Sequence, residues 1–323
     1  MAPFADDTVI DVEHQPVREF ARAVLAGLAQ AQKQIPSKFF YDAEGSRLFD
    51  KICELPEYYP TRTAISILRD NAAAIAEELP PGAVLVEYGS GASVKVRLLL
   101  DAMQRPAAYV PIDISREHLR AAAAELAGDY PRLSVLPVHA DFTKPLMLRC
   151  RLPEGPRVGF FPGSTIGNFH PPEATRLLSG LAQNLGPGGL LLIGVDLKKD
   201  PRILHAAYND AAGITAAFNR NLLQRANREL EGSFDVEAFD HHAFWNADAS
   251  RIEMHLVSST AQAASVAGHW FYFTAGESIH TENSYKYAPD EIHLVAKAAG
   301  FRPVCLWTDA QQLFGVSLLA VTG

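Results

Sequence analysis

Between residues 61 and 195 the hydrophobic pattern changes period repeatedly. Unbroken apolar runs alternate with stretches in which apolar positions recur at helical spacing. The runs predict strands covered on both faces, and the spaced stretches predict amphipathic helices. The reading is helix 61–78, strand 83–88, helix 94–104, strand 108–112, helix 115–128, strands 133–138 and 157–161, helix 172–184 and strand 189–195. Pro153 to Pro156 and Gly186-Pro187-Gly188-Gly189 mark loops. Such alternation predicts an α/β fold with a doubly wound parallel sheet.

Outside this stretch the rhythm differs. Val17, Phe20, Ala21, Val24, Leu25 and Leu28 predict a helix over 15–31. Phe39-Phe40-Tyr41-Asp42 and Pro56-Glu57-Tyr58-Tyr59-Pro60-Thr61-Arg62, separated by a short apolar segment, suit neither helix nor strand and suggest a rigid, partly exposed pocket wall. Residues 200–231 read as helical, and strands are expected over 251–259, over 269–273 and near Tyr285. Helix 289–299 and strands near 303–307 and 315–321 return to the earlier rhythm and complete the sheet. The expected organisation is therefore 61–195 plus 287–323 as a cofactor-binding domain. Residues 1–60 plus 196–286 would form a second, discontinuous α+β domain that binds substrate.

Charge and composition narrow the class. The 323 residues carry a formal net charge of −8, with 48% hydrophobic and 20% charged residues, which is a globular balance. No basic run occurs, so no nucleic-acid partner is expected. The acidic stretch Met1 to Glu13 lacks the apolar core of a signal peptide, and Leu190 to Val195 is too short to span a bilayer. Cys53, Cys150 and Cys305 match no metal spacing and read as reduced thiols of a cytoplasmic protein. With no long heptad pattern, a monomer is expected.

The sharpest chemical signal is Glu87-Tyr88-Gly89-Ser90-Gly91 at the end of one strand, followed by Asp113 at the end of the next. The glycines let the backbone approach a ligand, and Asp113 suits a ribose diol. A third glycine in the dinucleotide pattern Gly-x-Gly-x-x-Gly is missing, because Ala92, Ser93, Val94 and Lys95 follow Gly91. The order acid-x-Gly-x-Gly resembles motif I of class I S-adenosylmethionine-dependent methyltransferases, which have a Rossmann-like sheet.

Other segments admit two readings each. Asp141-Phe142 is either an N-cap with a core ring or, in such a fold, an acid and an apolar neighbour for adenine. Asn168, in Gly163-Ser164-Thr165-Ile166-Gly167-Asn168, is either a turn residue or a donor–acceptor for an amine or carboxylate. Glu282 and Ser284 are two apart, so in extended chain they share a face and suit the two nitrogens of an imidazole; the alternative is a solvated strand edge. His241-His242 has no further ligand at matching spacing, so no metal is expected.

Taken together, several long motifs resemble the L-histidine Nα-methyltransferases of ergothioneine biosynthesis. They are Lys38-Phe39-Phe40-Tyr41-Asp42, Leu55 to Thr63, Gly163 to Asn168, Tyr208-Asn209-Asp210-Ala211-Ala212-Gly213, Phe218-Asn219-Arg220-Asn221 and Thr281-Glu282-Asn283-Ser284. The resemblance runs from about Ile35 to Ser317. It implies trimethylation of L-histidine to hercynine, with S-adenosylmethionine as co-substrate and no metal. It implies that Gly89, Gly91, Lys95, Asp113, Asp141 and Phe142 bind the cofactor. Tyr58, Asn168 and Tyr208 would hold the amino and carboxylate end of histidine, and Glu282 and Ser284 its imidazole. Thr215, Phe49 and Met254 would line the pocket, with Tyr41 beside the reacting amine.

Three other readings stand beside this one. A related enzyme would methylate the α-amine of another amino acid, such as tryptophan or a thiohistidine. A nicotinamide-dependent dehydrogenase would use the same kind of sheet, against the missing third glycine. A silent binding module would not need so complete a set of polar pocket residues.

Overall fold

The computed structural model describes residues 9–11, 16–91, 93–146 and 152–322. Cys150, and the acidic N-terminal stretch apart from residues 9–11, lie outside the described residues. The chain divides into two compact units, one built on described residues of 9–11, 60–198 and 286–322, the other on 16–59 and 199–285.

The first unit is a nine-stranded sheet with helices. From one edge the strands are Ile10–Asp11, Val138–His139, Ala108–Asp113, Val84–Tyr88, Arg157–Phe161, Leu190–Asp196, Phe314–Val321 and Phe301–Thr308, with Ser134–Val135 also paired to Ala108–Asp113. Pairing is parallel as far as Leu190–Asp196. Phe314–Val321 runs against the parallel strands, antiparallel both to Leu190–Asp196 and to Phe301–Thr308, with which it forms a hairpin because residues 309–313 are too few for a crossover helix. Val84–Tyr88 is buried along its whole length, Glu87 included, as expected for a strand covered on both faces. Leu85, Tyr109, Val158, Leu192 and Leu318 pack with Ile67, Ile75 and Leu99 into one core.

Local chemistry moves several boundaries. The helix expected over 61–78 is two helices, Tyr59–Asp70 and Ala72–Glu78. Asn71 separates them, and its side-chain amide donates to the Ile67 carbonyl at 2.8 Å, competing with the regular ladder. Of the segments expected to be neither helix nor strand, Tyr59–Arg62 opens the first of these helices and Phe39-Phe40 closes the 3₁₀ helix Ser37–Phe40, while Pro56–Tyr58 belong to neither helix nor strand. Pro60 falls in the first turn, where a missing N–H costs nothing. The strand expected over 133–138 is split into Ser134–Val135 and Val138–His139 around Pro137, which cannot donate to a ladder.

The second unit combines helices Pro16–Leu28, Ala43–Glu54, Pro201–Tyr208 and Ile214–Glu229 with a four-stranded sheet. The sheet order is Lys33–Gln34, Ser278–Tyr285, Arg251–Ser258 and Phe239–Asn246. A separate hairpin pairs Gln262–Val266 with His269–Phe273. Helix Ala43–Glu54 was legible only as a short apolar segment. Asp42 caps it, accepting from Gly45 N at 2.7 Å. Glycine is required at 45, since a Cβ there would lie 1.7 Å from the Phe40 carbonyl oxygen. Strand Phe239–Asn246 was not anticipated, although it carries the His241-His242 pair.

One irregularity matters for the site. Ser284 opposes Ile252 and Glu282 opposes Met254, but His280 opposes His255, so Thr281 is an extra residue in a β-bulge. Glu282 and Ser284 therefore share the sheet face of Met254 and Ile252. His280 falls on the opposite face, with Glu253 and His255.

Candidate active site

In the sheet unit, the ends of two adjacent parallel strands build a cradle. Gly89 and Gly91 have φ of +76° and +47°, a left-handed backbone that glycine adopts without strain. Gly89 N donates to the Ile112 carbonyl at 2.8 Å, which ties the loop to the strand carrying Asp113. Phe142 lies over this loop: a Cβ on Gly89 would be 3.6 Å from its ring. Phe142 also meets Phe161 edge-on at 5.5 Å. Asp113 Oδ1 accepts from Ser115 N at 2.9 Å, and burial raises its pKa. Asp141 is buried and accepts from Thr143 N at 3.0 Å, closing a turn; it caps no helix among the described residues. Lys95 lies in the first turn of helix Val94–Ala102.

The acid of the motif, Glu87, points inward. It is buried, accepts from the Tyr109 hydroxyl and has its pKa raised to about 8, mainly by desolvation, against the opposing effects of Tyr109 and Lys95. The Ser90 hydroxyl and the Tyr88 hydroxyl are buried with no hydrogen-bond partner among the described residues. Buried polar atoms at a glycine-rich strand end, an acid at the next strand and a ring over the loop fit a nucleoside ligand. Asn168 closes the short 3₁₀ turn Ser164–Asn168 after strand Arg157–Phe161 in this same unit.

The second unit gathers Tyr41, Phe49, Tyr58, Tyr208, Thr215, Met254, Glu282 and Ser284. Tyr208 donates to Ser284 Oγ at 2.7 Å, and both side chains are buried. The Tyr58 pKa is pushed well up, first by burial and then by the electrostatic influence of Tyr208, Cys53, Tyr41 and Glu282. Tyr41 meets Phe49 edge-on at 5.6 Å, and Phe49 meets Tyr58 edge-on at 6.3 Å. Met254 is buried directly opposite Glu282. Thr215 is buried in the first turn of helix Ile214–Glu229, with its N–H donating to Asp210 Oδ1 at 2.8 Å. The site is thus an aromatic wall facing a row of hydroxyls and one carboxylate.

A model of the histidine-specific, S-adenosylmethionine-dependent methyltransferases matches residues 20–321. The chain belongs to that family. It is 47% identical over 303 residues to a histidine N-alpha-methyltransferase of Mycolicibacterium smegmatis, covering 92% of this chain and 93% of that protein. It is 42% identical to one from Mycobacterium tuberculosis, covering 96% of each. Ergothioneine biosynthesis protein 1 of Neurospora crassa is 32% identical over 89% of this chain and 33% of its own length.

Sequence reasoning missed three features of this methyltransferase. Phe218 completes the aromatic wall, 5.8 Å from Tyr41 and 6.0 Å from Phe49. Its helical spacing marked it as apolar, with nothing to separate a pocket ring from a core ring. Asn219, fully buried, bonds to three strands at once.

The third is the cluster Glu253, His255 and His280, with ligand-type atoms within 4.8 Å of one another. These atoms are already engaged. Glu253 Oε1 accepts from Arg251 Nε at 2.8 Å and Nη2 at 2.7 Å, and Oε2 lies 3.1 Å from His255 Nε2. His280 Nε2 donates to the Glu282 carbonyl at 2.9 Å. The His255 and His280 rings stack at 4.7 Å and 11°, so their lone pairs lie in parallel planes rather than converging on one ion. Burial lowers the His280 pKa to about 4, and hydrogen bonds led by Arg251 hold Glu253 at about 2 despite its burial. His241 and His242, adjacent in an extended strand, point to opposite faces of it.

Proposed function

We propose that this protein trimethylates the α-amine of L-histidine to hercynine, in the cytoplasm, as a monomer and without a metal. The observation that carries the reading is the row Tyr58, Tyr208, Ser284 and Glu282 facing the rings of Tyr41, Phe49 and Phe218 in one unit. The mycobacterial relatives and the family description support histidine as substrate. In this reading Gly89, Gly91, Lys95, Asp113, Asp141 and Phe142 hold S-adenosylmethionine, which supplies an electrophilic methyl group when bound.

Glu282 accepts from an imidazole N–H, and Ser284, set by its bond from Tyr208, engages the other ring nitrogen. Tyr58 and Tyr208 orient the amino acid end; Asn168, in the sheet unit, carries a donor and an acceptor suited to an amine or carboxylate. Orientation of the amine supplies much of the acceleration, up to roughly 7–11 kcal/mol for well-aligned reactants. The attacking amine must be neutral, so one proton leaves before each transfer; water and the tyrosine cluster carry it. Burial keeps Tyr58 protonated, so it acts as a donor and relay rather than as a strong base. The aromatic wall accommodates a growing methylammonium through cation–π attraction.

The test is mass spectrometry of the purified protein with S-adenosylmethionine and an equal mixture of the twenty amino acids. Trimethylated histidine as the dominant product is expected. A different methylated amino acid would overturn the pocket assignment, and no methylation would overturn the reading.

A further inference from the structure

Behind the row of pocket side chains lies a second polar network made by two residues with no assigned role, Asn219 and His241. Asn219 Nδ2 donates to the His255 carbonyl at 3.0 Å and to His241 Nδ1 at 2.9 Å. Its Oδ1 lies 2.7 Å from the Thr281 hydroxyl, the bulged residue next to Glu282. The carbonyl at His255 accepts only, which fixes the orientation of the amide. The amide in turn fixes the imidazole: His241 Nδ1 must accept, so Nε2 carries the hydrogen and donates to the Tyr208 carbonyl at 2.9 Å.

The connections form a closed loop. One arm runs from Asn219 through Thr281 to the chain carrying Glu282 and Ser284. The other runs through His241 to Tyr208. Tyr208 closes the loop by donating to Ser284. An unsatisfied buried donor or acceptor anywhere in it is costly, so each bond holds the next.

We propose that Asn219 and His241 are positioning residues that set the separation and orientation of Tyr208 and Glu282, and so the fit of the pocket to histidine. The inference rests on the histidine reading given above. It assigns neither residue a contact with substrate. It requires His241 in the single neutral tautomer with hydrogen on Nε2.

The experiment compares His241→Leu and His241→Gln with the unaltered enzyme. Leucine fills the space and removes both bonds; glutamine keeps an N–H donor near the Nε2 position. The expected result for His241→Leu is a KM for histidine raised about tenfold, with little change in kcat or in the KM for S-adenosylmethionine, consistent with the loss of a part-buried hydrogen-bonded support. His241→Gln is expected to recover most of the loss, which a merely space-filling residue would not show. Equal KM values in all three proteins would overturn the inference, as would a loss confined to kcat and shared by both variants. Imidazole ¹⁵N shifts of the unaltered protein test it independently of how the variants fold. The Nε2–H form at His241 is expected, and the Nδ1–H form would overturn the inference. If the unaltered protein does not methylate histidine at all, it is the functional reading that fails.

Discussion

The hydroxyl of Tyr208 donates to the hydroxyl of Ser284 at 2.7 Å across 76 residues of sequence. A serine that accepts in this way has its own hydrogen directed away from the tyrosine. Tyr208→Phe removes that constraint while keeping the ring. Loss of one buried hydrogen bond, about 1 kcal/mol, predicts a KM for histidine raised roughly fivefold. Initial rates at saturating S-adenosylmethionine would show it; an unchanged KM would mean Ser284 is held by other means.

Glu282→Ala removes the carboxylate from the polar row and leaves its aromatic neighbours in place. A hydrogen bond to a charged group contributes roughly 1.5–3 kcal/mol, so kcat/KM for histidine should fall on the order of 10- to 100-fold. The preference over apolar amino acids should shrink with it. Competition between histidine and leucine, read by mass spectrometry, decides; full retention of the preference would remove Glu282 from substrate choice.

Tyr41 touches Phe49 and Phe218 by ring edges, so Tyr41→Phe preserves the wall and deletes only the hydroxyl. If that hydroxyl helps carry protons, all three methylations should slow together in a single-turnover time course. Unchanged rates for each step would exclude it from proton transfer.

Asp196 and Lys286 form an ion pair at 2.7 Å in the sheet unit, with side-chain exposures of 1% and 0%. Removing one partner strands the other charge away from water. Lys286→Met should destabilise by about 3–5 kcal/mol, and the double variant Asp196→Asn/Lys286→Met by clearly less. Urea unfolding of the single and double variants measures the difference; equal losses would contradict it.

Glu87 supplies the pH dependence. Its folded-state pKa of about 8 lies above the ordinary value of 4.5, so between these values the native state binds a proton that the unfolded state has released. Its contribution to stability is full below about pH 4.5 and declines as pH rises towards about 8. Glu87→Gln removes this titration. The melting temperature of the unaltered protein should therefore fall more steeply from pH 5.5 to 8.5, in roughly unit steps of pH, than that of the variant. Parallel curves would show that Glu87 is charged throughout.

The sheet unit was the more legible of the two units. Parallel strands buried on both faces need unbroken apolar runs, and a nucleoside cradle needs glycine at the strand end; both constraints are local. What failed there was also local: Asn71 and Pro137 interrupt elements whose apolar period continues past them. In the second unit, Glu282 and Ser284 were singled out by their two-residue spacing, whereas Tyr58 and Tyr208 were given roles only through motif resemblance. Asn219 and His241 were invisible as a pair. Their meaning depends on Thr281, 62 residues from Asn219, and on a bulge that no alternation rule anticipates.

The order of strands also has a consequence for biosynthesis. Leu190–Asp196 lies between Arg157–Phe161 and Phe314–Val321, so one of its edges stays unpaired until the last strand has been made. At ribosomal rates of about 5–20 residues per second, the intervening chain takes roughly 6–25 s to appear. During that time an almost wholly apolar strand presents a free edge to other nascent chains. Truncated forms lacking the final hairpin should therefore aggregate rather than persist as a smaller working enzyme, and the yield of the full chain should respond to holdase chaperones.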